Sequence, residues 1–105
     1  MPSDAIIVFV TAASAEEAAA LAKALVAERL AACANIIPAI RSIYRWEGEV
    51  QDATEALMVI KTRREHFSAL EARVRALHSY SVPEIVAVDM AEGSAPYMAW
   101  LRDST

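Results

Sequence analysis

The chain holds a single cysteine, Cys33, among 105 residues, so no intramolecular disulfide can form and zinc patterns built on several cysteines are excluded. It holds only two glycines, Gly48 and Gly93, which leaves no glycine-rich loop to cradle a phosphate. No apolar run approaches the ~20 residues of a membrane span, and "MPSDAIIVFV" lacks the basic region of a secretory leader. Basic residues are outnumbered: 10 Lys and Arg are scattered among 14 Asp and Glu, so no basic stripe suits a nucleic-acid backbone. These absences lead to one domain over residues 1–105, a reducing compartment, no nucleic-acid or membrane partner, and no metal or cofactor required for folding.

What the chain does have is alanine and short β-branched runs. Apolar residues make up 56% of it, many of them alanine, which favours helix and close packing. "AIIVFVTA" (5–12) reads as a strand. Ser14 and Glu17 have the spacing of a capping box, and a helix follows to about Leu30 with Ala18, Leu21, Ala22, Leu25 and Val26 on one stripe. A long strand runs from Cys33 to Trp46, with Ile36, Pro38, Ile40, Tyr44 and Trp46 expected on one face and Pro38 marking an edge or a bulge. After a turn at Glu47 and Gly48, "EALMVIKT" (55–62) returns. Thr62 and Glu65 repeat the capping spacing before a helix carrying Phe67, Leu70, Val74 and Leu77. "EIVAVDM" (84–90) is a fourth strand, and Ser94 with Pro96 opens a short last helix.

The order βαββαβ plus a terminal helix predicts an α+β, ferredoxin-like sandwich with both main helices on one face of the sheet. Water on the other face demands strands that alternate apolar and polar. "IIVFV", "ALMVI" and "IVAV" do not alternate, so the second face also wants cover. The segment Cys33–Trp46, at roughly 3.3 Å per residue, spans about 46 Å, whereas the first helix covers only about 24 Å. The hairpin should overhang by about 20 Å and present Tyr44 and Trp46 on unpaired edges. Both features imply a tight homo-oligomer, with Tyr44 and Trp46 at the interface.

The stretches "VAERLAACANIIP" (26–38), "SIYRWEGEV" (42–50), "IKTRREHF" (60–67), "LHSYSVPEI" (77–85) and "YMAWL" (97–101) closely resemble the CutA family of divalent-cation tolerance proteins, over nearly the whole chain and in order. The resemblance implies a cytoplasmic homotrimer built like the PII signalling proteins and a link to copper and other divalent metals. It also implies a copper-associated cysteine in the first strand and a histidine pair before the "YxxPE" element. Carried over, these positions fall at Val10 and at Leu77 and His78, so only His78 is retained.

Cys33 is then the soft donor available for Cu(I) or Hg(II), or else a small buried apolar residue. His78 either interacts, protonated, with the free carbonyls ending the second helix or joins Glu84 and Cys33 as a metal ligand where subunits meet, with the Tyr80 phenol in the same corner. Lys61, Arg63 and Arg64 beside helix amides offer a setting for an anion, or are surface charge. No Ser/His/Asp or Cys/His arrangement stands out, so no enzyme is expected. Three readings remain: a non-enzymatic trimer binding copper or another divalent cation, a PII-like regulatory module binding a small anion or partner protein between subunits, and a scaffold.

Overall fold

The computed structural model describes residues 4–105, so the leading residues 1–3 lie outside the described part of the chain. Its elements are β1 (Ala5–Ala12), α1 (Ala15–Ala27), β2 (Cys33–Trp46), β3 (Glu49–Arg63), a 3-10 turn (Arg64–His66), α2 (Phe67–Leu77), β4 (Ile85–Asp89) and α3 (Ala95–Asp103). The strands form one antiparallel sheet in the order β2-β3-β1-β4. The expected α+β, ferredoxin-like arrangement with a terminal helix is the one observed.

The core lies between one face of the sheet and the two main helices. Ile6, Val8 and Val10 of β1 and Met58 and Ile60 of β3 pack against Leu21 and Leu25 of α1 and Leu70 and Val74 of α2. Each such side chain stabilises the fold by about 1.5–3 kcal/mol on burial. Val10, at the position where the resemblance places a cysteine, is sealed inside this core.

Helix ends follow local chemistry. The Ser14 hydroxyl accepts from the Glu17 amide at 3.1 Å, and Glu17 Oε1 accepts from the Ala13 amide at 3.0 Å, so the first cap forms as expected, shifted by one residue on the return bond. α1 stops at Ala27, short of Leu30, because Arg29 adopts φ 60° and the Leu30 and Arg29 amides fold back on Leu25 and Val26 carbonyls. That is a Schellman motif with arginine in the left-handed position usually given to glycine. The second cap does not form. Thr62 is fully buried at the end of β3 and donates its hydroxyl to the Leu30 carbonyl at 2.7 Å, so it ties strand to loop and α2 begins only at Phe67. Ser94 occupies the N-cap of α3 without a side-chain bond, and a proline sits in the first turn.

The hairpin is where the structure departs most from the simple pattern. β3 runs back to Glu49 rather than starting at Glu55, and β2 pairs with it across a register shift between Ile37 and Ile40. Two residues, Pro38 and Ala39, oppose one, Ala56: a bulge, as Pro38 suggested. Because side chains alternate faces, one extra residue moves everything beyond it to the other side. Ile36 packs towards the helices. Ile40, Ser42, Tyr44 and Trp46 instead share a face with Glu55 and Leu57, so the single stripe expected from Ile36 to Trp46 is broken at the bulge. Glu47 at φ 51° and Gly48 at φ 82° close the arm with the two left-handed residues that a tight hairpin turn requires. β1 pairs with β3 only from Ala56 onward, so seven residues of β3 extend beyond it, an overhang of about 23 Å.

The second face of the sheet is apolar and open. The register places Ile7 and Phe9 of β1, Leu57 and Val59 of β3, and Val86 and Val88 of β4 side by side on it. Val86 and Val88 are 50% and 48% exposed. α3 covers only one end, where Leu101 packs with Ala5, Ala32, Met90 and Met98.

Candidate functional site

The connection from α2 to β4 builds a hydrogen-bonded polar corner. His78 caps α2 with its side chain fully buried. Its Nε2 lies 2.7 Å from the Thr11 carbonyl and its Nδ1 accepts from the Tyr80 amide at 3.0 Å. A carbonyl only accepts and an amide only donates, so the partners assign the tautomer: Nε2 carries the proton and Nδ1 is bare. The imidazole therefore bolts α2 to β1, with Glu17 Oε2 3.9 Å from Nδ1. It bonds β1 and the connection rather than the carbonyls that end its own helix, and neither nitrogen is free for a metal. Next to it, Glu17 Oε2 accepts from the Ser79 amide at 2.8 Å. Burial would raise the Glu17 carboxyl, but the Ser79 hydroxyl and amide and the Ala13 amide outweigh it and hold the group below its usual range.

Tyr80 turns the other way. Its hydroxyl donates to Glu55 Oε2 at 2.8 Å. Burial, then the hydrogen bond to Glu55 and the nearby negative charge, push the phenol up to about 12. Glu55 is only 7% exposed although it lies where β3 leaves the shelter of β1. The pair forms the floor of an open cleft of about 700 Å³ at the root of the arm. Thr11 and Leu57 line it from the sheet, Tyr44 and Trp46 from the arm, and Val82 and Glu84 from the connection. Among the described residues, no lysine, arginine or histidine lines it.

The residues singled out in the sequence end up in separate places. Cys33, half-buried, opposes Lys61 in the register, and Lys61 opposes Ile7, whereas His78 is bonded to Thr11, about 13 Å further along β1. The Cys33 thiol has Lys61 Nζ and Asn35 Oδ1 each at 3.9 Å, with Lys61 also bonded to Asn35. Burial, and then Cys33, raise the Tyr97 phenol beside it. Glu84 lines the cleft, apart from both. Among the described residues no three His, Cys, Asp or Glu side chains come together to hold a metal. Lys61, Arg63 and Arg64 do not converge on an anion either. Arg63 bonds the Thr105 hydroxyl and carbonyl and pairs with Glu65, and Arg64 pairs with Asp89. Tyr44 and Trp46 do lie on the overhanging arm, but they also wall the cleft. Glu55 and Thr11 escaped notice in the sequence and Glu17 was read only as a capping residue, although a glutamate opening the apolar run "EALMVI" was a visible signal.

The profile of the CutA1 divalent ion tolerance protein family matches residues 6–104. The divalent-cation tolerance protein CutA of Thermus thermophilus is 54% identical over 99 residues, 94% of this chain and 96% of that protein. The chloroplastic protein CutA of Arabidopsis thaliana is 46% identical over 100 residues; they are 95% of this chain but 55% of that protein, so the chain spans about half of its length. The crystal structure of CutA1 from Oryza sativa matches with a TM-score of 0.95 at 43% identity, covering 99% of this chain and 95% of that one.

Proposed function

The chain belongs to the CutA1 divalent ion tolerance protein family, and on that premise we propose that it is a non-enzymatic cytoplasmic homotrimer that binds copper or another divalent or soft metal ion where its copies meet, and acts in metal tolerance. The observation that carries this reading is the open apolar face. Phe9, Leu57, Val59, Val86 and Val88 form a surface that a sheet with helices on one side leaves to water, and a second copy laid on it removes that cost. The overhanging arm adds an unpaired edge beside it.

One chain alone does not fit a metal, because both His78 nitrogens are engaged and no three donors gather among the described residues. Cys33 and Glu84 remain. Cys33 opposes Lys61 on the open side of the sheet, in line with Ile7 and Val88, and Glu84 enters β4 from the cleft. Copies meeting across that side bring such donors together from different chains, with the thiolate favouring soft ions such as Cu(I). Light scattering fixes the assembly, and calorimetric titration with Cu(I), Cu(II) and Zn(II) fixes the binding. A folded particle with the mass of one chain removes the assembly. Absence of heat with every ion, or heats unaltered by Cys33→Ser and Glu84→Gln, removes the metal site.

A further inference from the structure

We propose that the cleft at the root of the arm binds a small organic cation, an ammonium group on an apolar body, held by Glu55 and walled by Tyr44, Trp46 and Tyr80. The argument starts from Glu55. As a residue it is only 7% exposed, and Oε2 accepts from the neutral Tyr80 hydroxyl. Oε1 accepts no hydrogen bond from the described residues and, since none of their buried side-chain oxygens lacks a partner, it opens into the cleft. A carboxylate oxygen at the floor of a largely apolar cleft favours a positive partner, and no basic side chain among the described residues lines the cleft. Glu84 adds a second carboxylate to the lining, so an anion is repelled and a neutral molecule leaves the charge unmet.

The walls choose between kinds of cation. A hard divalent ion such as Mg2+ or Ca2+ takes about six or more oxygen ligands, this cleft supplies two carboxylates, and among the described residues no three metal-ligating side chains gather. Its volume of about 700 Å³ is that of a small-molecule site. Three aromatic rings attract an ammonium ion through their faces, and they cover an apolar body at the same time. The bulge at Pro38 and Ala39 is what makes this possible, since without it Tyr44 and Trp46 would project from the opposite side of the sheet.

The site goes beyond the metal reading and is tested without metal. The full chain, in buffer with a chelator, is titrated with benzylammonium and with benzyl alcohol, which has a similar shape and no charge. Calorimetry is paired with the fluorescence of Trp46 in the Trp100→Phe variant, which leaves Trp46 as the sole tryptophan. Benzylammonium is expected to bind about tenfold or more tightly than the alcohol. Glu55→Gln is expected to abolish the preference, and Trp46→Leu, at a half-exposed position the core does not need, to weaken both ligands. Absence of binding overturns the proposal, including the case in which a second copy of the chain meets Glu55. So does equal affinity for the two probes, or a preference that survives Glu55→Gln.

Discussion

Replacing His78 by alanine separates a structural histidine from a ligand. The imidazole joins two parts of the chain far apart in sequence, donating to the Thr11 carbonyl on β1 and accepting from the Tyr80 amide in the connection. Each bond contributes about 1 kcal/mol net, and each buried group left without its partner costs about 1–3 kcal/mol. Allowing for water that reaches the Tyr80 amide, His78→Ala is expected to destabilise the fold by about 2–4 kcal/mol, a large share of the ~5–15 kcal/mol available to a domain. His78→Gln keeps an N–H donor for Thr11 but has no acceptor at the Nδ1 position facing the Tyr80 amide, so it should recover about 1 kcal/mol. Urea denaturation at one fixed protein concentration measures both, because assembly makes apparent stability depend on concentration. A loss under about 0.5 kcal/mol for His78→Ala, accompanied by a collapse of copper affinity, would refute the bolt and restore the histidine as a metal ligand.

Other consequences follow from single features. Thr62→Val removes the hydroxyl bonded to the Leu30 carbonyl and should cost about 1–2 kcal/mol in the same assay. Gly48→Ala meets no neighbouring atom but must hold φ +82°, so it should cost about 1 kcal/mol with no change in the core's near-ultraviolet signal. The pH profile has two arms. The Glu17 carboxyl is lowered from 4.5, so its contribution is complete above that value and is lost as pH falls through the folded one; Glu17→Gln should flatten the acid arm. The Tyr80 phenol is raised from 10.0 to about 12, so its contribution is complete below the unfolded value and is lost as pH rises between them; Tyr80→Phe should flatten the alkaline arm.

Which parts of this molecule were legible in advance depends on whether the signal was local. Apolar runs too continuous for a one-sided sheet announced the open face, and the length of the segment from Cys33 to Trp46 announced the arm, because both are properties of consecutive residues. Pro38 announced a bulge but not its consequence. The switch of Ile40, Tyr44 and Trp46 to the side of Glu55 depends on what the partner strand does, and a single strand read alone carries no such information. Thr62 and Glu65 looked like a capping pair for the same reason. Ser14 and Glu17 have the same spacing and do cap, and what separates the two cases is the Leu30 carbonyl, 32 residues away, which claims the Thr62 hydroxyl. His78 was conspicuous as a residue and opaque as a role, since its two partners come from β1 and from the loop beyond it.

The open face and the cleft share Thr11 and Leu57, which raises the question of whether assembly and cation binding are one event. The lining argues that they are separable. The Glu55–Tyr80 bond that forms the floor of the cleft lies within one chain, and Val88 lies outside the cleft, on the opposite edge of the sheet among the residues a second copy would cover. Val88→Lys places a charge on that face where a neighbouring copy would have to bury it, at a cost that association cannot offset without a partner for the charge. The variant is expected to scatter light as a single chain and to lose any metal site built from two copies. Circular dichroism should stay native, because the helix-side core does not include Val88. Benzylammonium affinity should stay within about threefold of the parent, since the sharing of Thr11 and Leu57 is a sharing of walls and the charge-bearing floor is intramolecular. Loss of benzylammonium binding together with assembly, in a variant that remains folded, would mean that the cleft is finished by a second chain and that the two events are one.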